Sequence, residues 1–252
     1  MPLPTPAARS TNLLLRPAAE RFHSRLDWLD SWHSFSFAGH DDPAWRGFGP
    51  LRVINDDTIA AGSGFGRHPH RDMEIVTVMV EGELRHGDSI GHSEVLRPGE
   101  VQRMSAGTGI VHSEWNGSPA PCRLLQIWIE PSSHGIAPAY GQKRFAPGPQ
   151  WTRLLDPDER DGAMAIHRPV RLWRAQPAAG QELPLAIAPD SVGWIQMIEG
   201  DGLAEGPSAE PGETGATTQG LTRGDGLGFA PDALQRFTAG AAGADLLLFE
   251  LR

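Results

Sequence analysis

One cysteine, Cys122, stands among 252 residues, so no internal disulfide and no cysteine-based zinc site can form. Long apolar runs are missing too: nothing approaches the ~20 residues that a membrane-spanning helix needs. The opening stretch MPLPTPAARSTNLLLRP lacks the charged flank and apolar core of a signal peptide. Positive charge is also in short supply, with 22 Lys and Arg against 31 Asp and Glu, a net charge of −9. An acidic field does not attract phosphate backbones, which argues against direct nucleic-acid binding. The expectation is a cytoplasmic protein with no membrane contact, read as a monomer.

What the chain does hold is punctuation. Its 30 Gly and 22 Pro fall too densely for long helices and suit many short strands joined by turns. IVTVMVEG (75–82), RLLQIWIEP (123–131), VGWIQMIEG (192–200) and ADLLLFEL (244–251) read as strands, because they are rich in Val, Ile, Leu and Trp and stop at turn residues. DGLAEGPSAEPGETGATTQG (201–220) reads as a solvated loop or hairpin tip without chemistry.

The two halves repeat each other. MVEGEL (79–84) matches MIEGDG (197–202), and RPGE (97–100) matches TRGD (222–225). A strand–turn–strand unit repeated at this size predicts an all-β chain of two similar barrels in tandem with little helix. The expected division is an N-terminal barrel over 1–135, a connection over 136–165 and a C-terminal barrel over 166–252.

The ten histidines are unevenly placed. His68-Pro-His70 sets two imidazoles at i and i+2, which share one face of a strand. His112-Ser-Glu114 does the same with an imidazole and a carboxylate. If both segments lie on adjacent strands of one barrel, three neutral nitrogens and a carboxylate oxygen converge, a set suited to Fe, Ni, Cu, Mn or Zn. One such pair is weak evidence, since most strand histidines are packed or surface residues. Two pairs about 40 residues apart favour a metal. The second half provides a control: counting from Gly200 and Gly224, the four positions fall on Ala186, Ala188, Phe237 and Ala239, and the only histidine there is His167. One metal ion, in the first barrel, is expected.

Remaining residues receive plainer readings. Trp32 and His33 are expected to pack in the barrel wall or a lid, and most of the eight Trp in cores. His40, Asp41 and Asp42 read as a turn. His86 and His92 flank a Gly-containing hairpin and are expected to be exposed.

Gly62-x5-His68-x-His70-x3-Glu74-x7-Gly82 resembles the first cupin motif. Gly99-x5-Ser105-x-Gly107-x4-His112-x3-Asn116 resembles the second, stretched by two residues and with Ser105 where Pro is usual. Those departures, with the strings LDWLDSWHSFSFAGHDDP (26–43), LRVINDD (51–57), GFGRHPHRDMEIVT (64–77), MSAGTGIVHSEWN (104–116) and LQIWIEP (125–131), are similar to the pirin family over about residues 12–170. The resemblance implies two tandem cupin jelly-roll barrels. It implies one divalent metal, iron(II) by preference with Ni, Cu, Mn or Zn as alternatives, held by His68, His70, His112 and Glu114. In ordinary cupins the carboxylate at position 74 is a ligand; in pirins the second pair takes that role, so Glu74 is read as a supporting or buried partner.

The implied activity is a quercetin 2,3-dioxygenase-like oxidoreductase acting on a flavonol-type aromatic and O₂. Glu114 would be the catalytic acceptor of the flavonol hydroxyl proton. The alternative is a redox-sensing metal protein that binds a transcription factor or a metabolic enzyme. A storage-type or purely structural cupin ranks third, because a full ligand set stands in one half only.

Overall fold

The computed structural model describes residues 13–207 and 216–252. Among them are nineteen strands, three three-residue 3₁₀ turns and no α-helix. No helix in this region is long and apolar enough to cross a membrane.

The first half is built from two antiparallel sheets. One has seven strands in the order β12 (Ala139–Arg144), β9 (Glu100–Ser105), β6 (Glu74–Glu81), β11 (Cys122–Ile129), β4 (Leu51–Ile59), β3 (Leu29–His33), β2 (Phe22–Arg25). The other has four, in the order β5 (Ser63–His70), β10 (Ile110–Asn116), β7 (Leu84–Asp88), β8 (Ser93–Leu96). The second half forms one eight-stranded sheet in the order β1 (Leu13–Arg16), β18 (Gly226–Phe229), β16 (Val192–Gly206), β19 (Arg236–Leu251), β14 (Val170–Ala175), β13 (Thr152–Leu155). In addition, β15 (Glu182–Pro184) pairs with β19, and β17 (Thr217–Thr222) with β16. The fold is therefore all-β in two tandem barrels.

Strand β6 shows why its sequence is almost continuously apolar. Ile75 and Met79 face the four-stranded sheet, where Ile110, Leu84 and Leu96 meet them. Val76 and Val78 point the other way, into a core shared with Trp194, Leu247 and Phe249 of the second half. A strand buried on both faces loses the apolar–polar alternation of a half-exposed one.

The repeat seen in the sequence is a repeat of corners. Gly82 (φ +74°) turns β6 into β7, and Gly200 (φ +76°) bends the continuous strand β16 at the equivalent point. A Cβ on Gly200 would lie 2.0 Å from the Gly243 carbonyl oxygen, so glycine is required there by both conformation and space.

Four expectations change. Residues 201–206, part of the stretch read as a solvated loop or hairpin tip, extend β16, and 217–220 belong to its antiparallel hairpin partner β17; residues 208–215 lie outside the described part. The segment 136–165 carries two strands, β12 on the first sheet and β13 on the second half's sheet. The N-terminal strand β1 crosses to the second half, pairing Leu13 with Phe229. Of the eight tryptophans, only Trp194 is fully buried; Trp115 is exposed and the rest are half-buried.

Candidate metal centre

The two ligand-type pairs lie on neighbouring strands. β5 and β10 are antiparallel, with His68 opposite His112 and His70 opposite Ile110. Directly opposed residues share a face, so His68, His70 and His112 all point into the first barrel. Their ring centroids are 4.8 Å (68–70), 4.4 Å (68–112) and 4.8 Å (70–112) apart. One ligand atom from each lies within 4.8 Å of the others. Past a bulge between His112 and Glu114, the carboxylate sits on the same face, nearer His112 and His86. Beside the bulge the two backbones approach closely at Gly64, where a Cβ would meet the Glu114 carbonyl oxygen at 2.2 Å.

The donor set fits a divalent cation. His68 Nδ1 lies 2.8 Å from the Gly66 carbonyl oxygen, which can only accept, so Nδ1 holds the proton and Nε2 the lone pair. His112 is 1% exposed, and neither of its ring nitrogens has a hydrogen-bond partner. Burial, with His68 and His70 adding to it, pushes His112 down to about 2; burial and then His68 push His70 down to about 4. Both rings are neutral near pH 7, the form that binds metal. Glu114 is 2% exposed, and burial raises its pKa. Its two oxygens accept from Gln126 Nε2 at 3.2 and 2.9 Å, and Gln126 Oε1 accepts in turn from Thr77 Oγ1 at 3.1 Å. A buried carboxylate beside the unpartnered His112 imidazole is a setting in which a positive charge would offset the desolvation.

A cleft of about 330 Å³ opens beside His70, walled by Pro69, Arg71, Ser89, Thr108 and Ile110. Trp128 stands edge-on to His70 at 5.0 Å.

Known proteins place this arrangement. The family described as Pirin matches residues 16–129, and the quercetinase C-terminal cupin domain matches 154–251. Quercetin 2,3-dioxygenase of Escherichia coli K12 is 47% identical over 198 residues, spanning 78% of this chain and 86% of that protein. The chain belongs to the pirin family. A Caulobacter vibrioides pirin-like protein is 40% identical over 178 residues, covering 69% of this chain and 76% of its own. Among solved structures, the bacterial pirin YhhW of E. coli in complex with nickel(II) superposes with a TM-score of 0.85 at 42% identity, covering 95% of this chain and 98% of that one.

Within this pirin, Glu74 belongs to the opposite face of its strand. Thr77 reaches the interior through Gln126, so Glu74, three residues earlier, points away from the barrel. Its carboxylate, 1% exposed, accepts from Ser105 Oγ at 2.8 Å and lies 3.3 Å from His167 Nδ1. Of the two roles expected for Glu74, it has that of a buried partner and touches none of the four ligand-type residues. The change of face follows from the Asp72 turn (φ +48°), which starts a new strand between His70 and Glu74.

His86 is a correction. Read as exposed, it is 2% exposed and opposes Glu114 across β7 and β10. The signal for it was His86-x-Asp88, a third i,i+2 pair of ligand-type residues. Thr77 and Gln126, also missed, were visible as lone polar residues inside IVTVMV and RLLQIWIE. His33 packs as expected, buried with Nδ1 2.8 Å from Asn55 Oδ1.

In the second barrel, β15 pairs with β19 so that Leu183 opposes Phe237, as His68 opposes His112. The Leu185 amide bonds to the Gln235 carbonyl, as His70 opposes Ile110. The equivalents are thus Leu183, Leu185, Phe237 and Ala239, all buried in one apolar cluster. Phe237 and Ala239 match the offset count. Ala186 and Ala188 miss by three residues, because the loop after β15 is longer than that after β5.

Proposed function

We propose that this chain is a metal-dependent dioxygenase of the quercetin 2,3-dioxygenase type, taking a flavonol-like aromatic and O₂. One divalent ion would be held by His68, His70, His112 and Glu114. The observation that carries the reading is His112, a fully buried imidazole with both nitrogens unpartnered, placed against two more imidazoles and a carboxylate in a chain 47% identical to a quercetin 2,3-dioxygenase. Iron(II) is our preferred ion, and nickel(II) is the ion in the YhhW complex.

When bound, the ion would act as a Lewis acid that lowers the pKa of the flavonol hydroxyl. The chain's own residues supply the rest. Glu114, the buried carboxylate beside the imidazoles, takes the hydroxyl proton. Gln126 holds both carboxylate oxygens in place, and Thr77 orients the Gln126 amide through its oxygen. Trp128 gives an aromatic edge beside His70.

Glu114→Gln and His70→Ala test this. Quercetin consumption, followed by loss of flavonol absorbance, should fall by roughly 10²–10⁴-fold in Glu114→Gln. Elemental analysis should show metal content falling in step with activity in His70→Ala. Full turnover by a metal-stripped preparation refutes the proposal.

A further inference from the structure

His86 lies against the metal centre but outside the ligand set proposed above. Its Nε2 is 3.1 Å from Asp88 Oδ2. A carboxylate accepts, so Nε2 carries the proton and Nδ1 the lone pair. Asp88 is itself fixed by the Ile90 amide (2.9 Å), the His92 amide (3.0 Å) and His92 Nδ1 (3.0 Å). The Tyr140 ring stacks on His86 at 4.6 Å and 21°, setting the plane of the imidazole. A carboxylate behind one ring nitrogen and a free lone pair on the other is how metal-binding histidines are oriented. Here the free nitrogen, Nδ1, is buried and makes no hydrogen bond. Ligand atoms of His86, His112 and Glu114 all lie within 4.8 Å of one another, as do those of His68, His70 and His112.

We infer that the centre consists of two overlapping subsites that share His112: an outer one of His68, His70 and His112, and an inner one of His86, His112 and Glu114 that binds a divalent ion in its own right. The inference rests on the metal-binding reading above and refines its ligand set: Glu114, grouped by distance with His86 and His112 rather than with His68 and His70, ligates the ion in the inner position. The two subsites differ in chemistry. The outer one offers three imidazoles. The inner one is a two-histidine, one-carboxylate set, the donor combination of non-haem iron(II) sites. Neutral His112 has one lone pair, so it ligates in one subsite at a time and the chain takes a single ion.

The test uses the full chain stripped of metal and titrated anaerobically with Fe(II). Wild type should bind one ion per chain. The double variant His68→Ala/His70→Ala, which lacks the outer subsite, should still bind one, weaker by roughly 10–100-fold. Adding His86→Gln should remove that residual binding. A second readout does not depend on the His86 variant: pulsed electron paramagnetic resonance of the Cu(II)-loaded double variant should count two imidazole nitrogens. A folded double variant that binds no ion, a triple variant that binds as well as the double, or a single coupled nitrogen overturns the inference and leaves the proposed function standing. Absence of binding by wild type overturns both.

Discussion

A buried group with nothing to bond to is informative because the fold has accepted its cost, and two side chains of the first barrel show different outcomes. His112 keeps both ring nitrogens unpaired beside other imidazoles, where an ion would take up its one lone pair. Asp57, on β4, instead answers burial by holding its proton. Burial pushes its pKa up to about 7; the Ser31 hydroxyl bonded to it opposes the shift, and Asp56 and Glu114 add to it. An unfolded Asp titrates near 4. Between about pH 4 and 7 the folded state therefore binds more protons than the unfolded chain, and stability falls as pH rises through that window. Asp57→Asn, which keeps an acceptor for Ser31 but cannot ionise, should stabilise the protein by roughly 2–4 kcal/mol at pH 8 and far less at pH 4.5. Thermal melts at both values check this; an equal gain at the two pH values contradicts it.

Strand pairing turns the i,i+2 patterns into a site. His68-x-His70 and His112-x-Glu114 were legible in the sequence because a strand's period of two is local and needs no knowledge of partners. The side on which Glu74 lands was not, since the Asp72 turn resets the face between β5 and β6. Nor was the arrival of His86, because only pairing brings β7 beside β10. The β5–β10 contact is tight at Gly64, where any side chain would strike the Glu114 backbone. Gly64→Ala should cost about 1–3 kcal/mol by overpacking and displace β5 from β10. The expected result is a lower melting temperature together with lower metal content. A melting shift with metal content unchanged would show that the register of the ligand pairs does not depend on this contact.

The two halves are joined by a shared core and by a pair of arginines in matching places. Arg123 binds both Asp56 oxygens at 2.7 and 2.9 Å, then reaches across to the Ile198 carbonyl at 3.1 Å and to Glu199. Arg174 binds Asp245 at 2.9 and 2.6 Å and reaches the Met79 carbonyl at 3.4 Å. Each arginine thus ties its own half to the repeated Met-x-Glu-Gly corner of the other. Arg123→Met would leave Asp56 buried with only Arg21 near it, at 3.6 Å. A loss of about 3–5 kcal/mol is expected, since breaking one side of a buried pair strands the other charge. Denaturant unfolding measures it, and a loss under 1 kcal/mol would mean that the shared core alone joins the barrels.

The order of residues was enough to determine an all-β chain with a doubled plan, and to mark three imidazoles and a carboxylate in the first copy with apolar residues in the second. These are matters of composition, period and spacing, carried by neighbours along the chain. Which long-range partner each strand takes was decided only in three dimensions. That choice sent β1 to the far barrel, turned Glu74 away from the ligands, brought Gln126 onto Glu114 and set His86 beside His112. The physical reason is that sheet hydrogen bonds are made by the backbone, which is the same at almost every residue. Register and partner are therefore selected by the packing of whole faces rather than by any one side chain.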